Sequence, residues 1–274
     1  MTGMERPAWA PPDVDIDQPS ISRIWDWFLD GSHNFAVDRE VAKQMLKLMP
    51  EGPRMAQASR AFLRRAVRMC ADAGVTQFLD IGSGIPTVGN VHEIARAADP
   101  QSRVVYVDTD PVAVSHTRQM LGGDPTTTVL RGDLREPQAI LDSPEVRGTL
   151  DLDRPVAVML IMILHFIHDE DDPAAVLARF REALPSGSML VVAHGSQHTE
   201  NMPDEHLHGA RKMYEKSVAQ VRLRTRPEVQ ALFGGWRLVP PGVVWIPDWR
   251  PDPADAVPAF DIPNAGYAGV AVKV

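Results

Sequence analysis

Phe78-Leu79-Asp80-Ile81-Gly82-Ser83-Gly84-Ile85-Pro86-Thr87 is the stretch on which the fold turns. Its first four residues fit a short strand with an acid near the tip, and two glycines follow before a helical pattern begins at Asn90. Strand, glycine loop and helix in that order bind an adenosine-containing ligand at the edge of a parallel sheet. The glycines let backbone approach the ligand with no Cβ in the way. Two glycines alone are a weak signal, and three acids strengthen it. Asp108 closes Tyr106-Val107-Asp108-Thr109-Asp110, about 20 residues past the loop, where the acid that takes ribose hydroxyls is expected. Asp133, in Arg131-Gly132-Asp133-Leu134, follows a third strand and can accept from the adenine amine. Asp80 helps choose between cofactors. A dinucleotide lays a doubly charged pyrophosphate over this loop, which an adjacent carboxylate repels. S-adenosylmethionine brings a sulfonium and an ammonium, which it attracts. Thr87 also stands where the third glycine of a dinucleotide fingerprint belongs. Both points favour S-adenosylmethionine over NAD.

Outward from the loop, strands and helices alternate. Strands are expected at Val104–Val107, Thr128–Leu130, Val156–Met162, Met189–Ala193, Val243–Ile246 and Ala268–Val274. Helices are expected at Asn90–Ala98, Pro111–Leu121, Pro173–Leu184, Asp204–Ala219 and Arg226–Phe233. The wholly apolar run at Val156 suits a parallel strand covered on both faces. The alternation predicts an α/β, Rossmann-like, doubly wound sheet of seven strands. Upstream, Ile21, Ile24, Trp25, Phe28 and Leu29 form a helical stripe with Ser20 in the N-cap position. Helices over 38–49 and 54–73 follow. The chain therefore divides into an arm over 1–18, a helical extension or lid over 19–74, and a cofactor-binding domain over 75–274.

Composition narrows the class. At 274 residues, with 44% hydrophobic and 23% charged residues, an ordinary soluble core needs no disulfide or metal. The formal net charge of −8 argues against a nucleic-acid partner. Cys70 is the one cysteine, and it falls inside a helical pattern as a small apolar residue. No run reaches the eighteen or so apolar residues of a membrane helix, and no leader precedes the Pro- and Asp-rich start. A cytoplasmic protein without membrane partners, monomeric or homodimeric, is the expectation.

Several segments then point to one family. FLDIGSGIPT, Asn90-Val91-His92-Glu93, Tyr106 to Pro111 and Gly132-Asp133-Leu134-Arg135 resemble class I methyltransferase motifs. More narrowly, the chain resembles the actinobacterial S-adenosyl methyltransferase family, formerly a domain of unknown function. Leu164-His165, Asp248-Trp249-Arg250-Pro251 and the run Gly31 to Arg39 match it, although Ser32-His33 departs from the family's Gly-Lys-Asp. The resemblance implies S-adenosylmethionine as cofactor. It places Gly82, Ser83 and Gly84 on the methionyl portion, Asp108 with Thr109 on the ribose, Asp133 and Leu134 on adenine, and Met162, Ile163 and His165 at the sulfonium. Asn34 and Phe35 become a lid, with Phe35 either offering its ring to the cation or acting as a core anchor.

Methyl transfer is an in-line displacement, so positioning supplies much of the rate and a base is needed only for a protonated nucleophile. His165 and His194, at the carboxyl ends of the fourth and fifth strands, are the candidates. Neither the spacing of His194, His198, His206 and His208 nor the run Asp169 to Asp172 fits a metal site. The acidic run suits a helix start instead. Met213 and Tyr214 are candidate lining for an acceptor cavity under the helix at 204–219. The favoured function is methylation of a small molecule. A cofactor-binding regulator without transfer activity and a nicotinamide oxidoreductase are the alternatives.

Overall fold

The computed structural model describes residue 10 and residues 14–86, 89–200, 202–217, 219–255 and 262–274. Most of the expected arm, and Thr87, lie outside the described residues. Within the arm's described part, Val14 is buried beside Phe35 and Val112.

Five strands run parallel: β1 (Gln77–Ile81), β2 (Arg103–Asp108), β3 (Thr127–Arg131), β4 (Ala157–Ile161) and β5 (Met189–Glu200). Short β6 (Arg237–Leu238) and β7 (Val244–Trp245) pair antiparallel with β8 (Asn264–Val272), which lies beside β5. The order is β3-β2-β1-β4-β5-β8-β6. It reverses between β1 and β4, and a ligand crevice opens outside the carboxyl ends of strands at such a switch point.

Alternate side chains of each strand feed opposite cores. Leu79, Val105, Val158 and Leu190 pack with Val176 and Phe180 of α8 (Pro173–Ala183) and Val229 of α10 (Arg226–Leu232). Phe78, Val104, Met159 and Val191 pack with Phe62 and Ala66 of α3 (Gly52–Asp72) and Ile94 of α4 (Val91–Ala98). Trp249 of the Trp-Arg-Pro run is fully buried, edge-on to Phe62 with centroids 5.2 Å apart. Arg65 of α3 donates to the carbonyls of Trp249 (2.8 Å) and Ile246 (2.9 Å), tying the C-terminal loop to α3.

The sheet differs from the sequence expectation in three respects. It has eight strands among the described residues rather than seven, because β6 is only a two-residue edge. β5 runs on to Glu200 instead of ending at Ala193, since β8 continues to pair with it past a bulge after Gly195. Two six-residue helices, α6 (Pro137–Asp142) and α7 (Pro144–Thr149), are too short to show a period.

α1 (Ile21–Phe28), α2 (Ala36–Leu48) and α3 share a small core of Ile24, Phe28, Val41, Met45 and Ala56. Ser20 stands at the α1 N-cap, yet its hydroxyl bonds Asp110, at the start of α5 (Pro111–Leu121), rather than its own helix. Arg23 of α1, 4% exposed, pairs with Asp38 of α2 at 2.8 Å and lies 3.4 Å from Asp110. The helical layer is therefore bolted to the turn after β2. No described helix is long and apolar enough to cross a membrane.

Candidate active site

β1 ends at Ile81, and the loop residues Gly82 and Gly84 both take positive φ (72° and 67°). They do so for different reasons. A Cβ on Gly82 would meet the Ile163 side chain at 2.7 Å, so this glycine is demanded by packing. A Cβ on Gly84 would meet nothing within 4 Å, and this residue faces open space. Its amide donates to Asp108 Oδ2 (2.8 Å), while the Asp110 amide donates to Oδ1 (2.9 Å). Asp108 thus sets the loop's shape. Burial raises its pKa to about 6, against the pull of the Asp110 and Gly84 amides.

Over this loop lies a cavity of about 350 Å³. Gly82, Gly84, Asp108, Thr109, Asp133, Leu134, Met162 and Ile163 all line it, so most of the residues expected at the site converge there. Asp133 is held by Arg135 (Nε to Oδ1 3.0 Å, Nε to Oδ2 3.1 Å), which keeps it ionised below the usual carboxylate range. An inner extension carries Asp80 and Ser83, together with Asp26 of α1 and Arg60 of α3. Burial lifts Asp80 to about 7; Arg60 opposes that shift and Asp108 adds to it. Ser83 Oγ and Asp26 Oδ1 are buried without a hydrogen-bond partner, and unmet polar groups in a cleft mark a ligand position.

A third, apolar cavity lies beneath α1, α2 and α9 (Asp204–Ser217), with His165 on its wall. Trp25 and Met162 border all three spaces. Met162 has φ 58°, a left-handed conformation that costs a non-glycine residue about 1–3 kcal/mol and clusters at functional sites.

Three residues expected at the site line none of these cavities. Asn34 donates its amide to Asp26 Oδ2 (2.8 Å) and the Gly31 carbonyl (3.0 Å). Phe35 is buried under the Arg23 guanidinium, 4.8 Å from the ring centroid, which is the core-anchor alternative. His194 has both nitrogens engaged: Nδ1 with the Gly195 carbonyl at 2.7 Å, and Nε2 with Arg224 at 3.0 Å. A guanidinium can only donate, so Nε2 accepts and Nδ1 carries the hydrogen, which leaves neither nitrogen for a substrate. α9 does wall the apolar cavity, with Leu207, Ala210 and Arg211. Met213 packs on the Ile24–Phe28 cluster instead, and the side chain of Tyr214 lies outside the described residues.

Burial lowers His194 to about 4; the Gly195 carbonyl opposes the shift and Arg224 adds to it. The unfolded ring takes its proton near pH 6.5, before the folded one does. Folding stability is therefore expected to fall as pH drops from 6.5 towards 4, by roughly 1–3 kcal/mol from this group. His165 is depressed in the same direction by burial, His194 and Arg224. Urea melts of His194→Gln should show a shallower acid limb than the parent; an unchanged limb contradicts the assignment.

Sequence reasoning missed Trp25, Asp26, Arg60 and Arg224. Arg224 is 3% exposed and donates to the carbonyls of Leu164 and Ile167 (both 3.1 Å) and to Asp169 Oδ1 (2.8 Å). This side chain holds the turn that presents His165, together with the Arg222 amide, which donates to the His165 carbonyl (2.8 Å). Two other acids of the Asp169–Asp172 run serve locally: Asp171 accepts from the His168 amide, and Asp172 caps α8 through the Ala175 amide. Among the described residues, no three His, Cys, Asp or Glu side chains converge as a metal site requires.

Sheet order, glycine loop and acids at the ends of β1 and β2 define a class I, S-adenosylmethionine-dependent methyltransferase. The profile of the S-adenosyl methyltransferase family matches residues 7–274, and the chain belongs to that family. It is similar to a putative methyltransferase from Thermobifida fusca YX: 37% identity, TM-score 0.87, 97% of this chain and 99% of that one covered. It is equally similar to a DUF574 family protein from Streptomyces avermitilis MA-4680: 39% identity, TM-score 0.87, coverage 95% and 100%. The pyocyanin biosynthetic protein PhzM, 18% identical over 81% of this chain and 57% of its own, with TM-score 0.50, shares the fold. Comparison with curated proteins gave no match. The nicotinamide alternative is overturned by the family assignment. The chemistry of the cleft fits such a cofactor: it offers an open glycine at Gly84, a buried acid at the end of β2, and the buried acids Asp80 and Asp26 beside Arg60.

Proposed function

We propose that this protein transfers the methyl group of S-adenosylmethionine to a small-molecule acceptor held in the apolar cavity. The observation that carries the reading is the shared wall. Met162 and Trp25 separate the polar space over the glycine loop from an apolar space lined by His165. When bound, the cofactor supplies an electrophilic methyl carbon on a positively charged sulfur. The roles proposed for the chain's residues follow from their chemistry. Asp80 and Asp26 hold the ammonium, with Ser83 beside them, and Arg60 holds the carboxylate. Asp108 and Thr109 take the ribose, while Asp133 and Leu134 flank the adenine. Met162 and Ile163 wall the sulfur, and His165 faces the acceptor. His194, Asn34 and Phe35 act through position, setting the turn and the helical layer. An acceptor of small-molecule size is supported by a cavity set among α1, α2 and α9 rather than on an open surface, and by the net charge of −8.

Calorimetric titration with S-adenosylmethionine and with NAD tests this. The first is expected to bind and the second not, and a methyl-release assay over a metabolite library should then find a substrate. No S-adenosylmethionine binding at millimolar concentration would remove the reading.

A further inference from the structure

The acceptor cavity is distinctive for what its wall lacks. Four methionines (Met45, Met49, Met55 and Met162) and the rings of Trp25 and Phe166 make up much of it. Among the described residues, Arg211 is the one wall residue with a formal charge; it is partly exposed and committed to Glu215 at 2.7 Å. The other titratable wall group is His165, 7% exposed, whose Nδ1 is buried with no hydrogen-bond partner. That nitrogen lies beside Gly195, 3.8 Å from where a Cβ would stand.

From this arrangement we infer that the acceptor is a neutral aromatic hydroxyl compound whose single O–H donates to His165 Nδ1. The inference rests on the methyltransferase reading above and names the substrate class for it. A carboxylate entering this space would lose its hydration with no side-chain cation of the wall free to replace it, and in protein loaded with S-adenosylhomocysteine no sulfonium offsets that loss. A cation would lose its hydration likewise, with no acid on the described wall to replace it, and would in addition meet the sulfonium when the methylated cofactor is bound. Flat rings suit the wall, because thioether sulfurs make favourable contacts with aromatic rings and adapt to their outline. Among the buried polar side-chain atoms of the described wall, His165 Nδ1 is the one without a partner, and a lone polar group on the ligand answers it. The cavity is small, about 120 Å³, below the usual range for drug-sized ligands, and it favours a compact ring compound.

The step balances. The hydroxyl oxygen bonds the methyl carbon, the carbon–sulfur bond breaks with its electron pair left on sulfur, and the proton passes to His165 Nδ1 and on to solvent. One positive charge is present throughout, first on sulfur and then on the imidazole. A weakly basic imidazole suffices, since the hydroxyl grows strongly acidic as the new bond forms. Burial keeps the ring neutral and ready.

The probes are 2-naphthol, 2-naphthoate and protonated 2-naphthylmethylamine, each titrated by calorimetry into protein saturated with S-adenosylhomocysteine. The neutral naphthol is expected to bind at least about tenfold more tightly than either ion and to yield the methyl ether with S-adenosylmethionine. His165→Gln should lower that transfer about 100-fold with cofactor affinity kept. Leu207→Trp, which fills the cavity, should abolish naphthol binding and spare the cofactor. Equal or tighter binding of either ion, naphthol left unbound, or full transfer by His165→Gln overturns the proposal. Failure of the cofactor itself to bind brings down the methyltransferase reading and this inference together, so the two failures are distinguishable.

Discussion

Replacing Asp38 with alanine is expected to destabilise the protein by roughly 3–5 kcal/mol, the usual cost of leaving a buried charge without its partner. Asp38 is wholly buried and accepts three hydrogen bonds: from the Ser20 amide (2.9 Å), the Phe35 amide (2.7 Å) and Arg23 Nε (2.8 Å). Alanine strands two amides and a guanidinium that is 4% exposed. Asp110, 3.4 Å from Arg23 Nη1, recovers a part of the loss. For a chain of this size the melting temperature should fall by about 6–20 °C. The matched control is Lys43→Ala, which breaks an exposed pair with Glu40 and should cost at most about 0.5 kcal/mol. Because Ser22 and Trp25 of α1, the helix that Arg23 ties to Asp38, line the cavity over the glycine loop, cofactor affinity should fall with it. A loss below about 1 kcal/mol in Asp38→Ala would show that the helical layer is held by its apolar core alone.

The part of the molecule that was legible in the sequence is the part whose cause is local. β1, the glycine loop and the acids Asp80, Asp108 and Asp133 follow from apolar runs ending in glycine and carboxylate, and they meet at the cavity as the spacing implies. Three helices before β1 were readable, the first of them from its apolar stripe. What escaped is set by partners far along the chain. Arg224 reads as one cation among many until the fold brings it under the Leu164 and Ile167 carbonyls. Arg60 left a signal that went unused: it sits in the interior stripe of α3, between Ala56 and Leu63. Phe35 was ambiguous between lid and anchor because a ring signals burial and not which surface it meets. His194 and His165 looked alike at their strand ends, and only the tertiary position of Arg224 tells them apart. Gly82 was expected to clear space for a ligand, whereas the Ile163 side chain claims that space.

Asp80→Asn is expected to weaken S-adenosylmethionine binding at pH 8 by 2–5 kcal/mol, from about 30-fold to several thousandfold, as for losing one side of a buried charge pair. The same variant should melt higher than the parent without cofactor, and the reason lies in the proton. Burial holds the Asp80 carboxyl at about 7, against the pull of Arg60. An unfolded aspartate ionises near 3.9, so the folded state keeps a proton that the unfolded state has lost. The stability that this group lends is full below about 3.9, is lost progressively as pH rises through 7, and the penalty of ionising in a dry site is then constant at higher pH. Asn carries no charge and escapes that penalty. Binding a cation requires the ionised form and must expel the proton. Affinity in the parent should therefore climb about tenfold per pH unit up to 7 and level off above it, and calorimetry in buffers of different ionisation enthalpy should register proton release. In Asp80→Asn the climb from this group disappears. Asp108, raised to about 6 by its own burial, adds a smaller loss of stability at lower pH. The acid at the tip of β1 then costs the empty protein stability and repays it only when a positively charged ligand arrives. Unchanged affinity in Asp80→Asn, or a lower melting temperature of its cofactor-free form at pH 8, is incompatible with that trade.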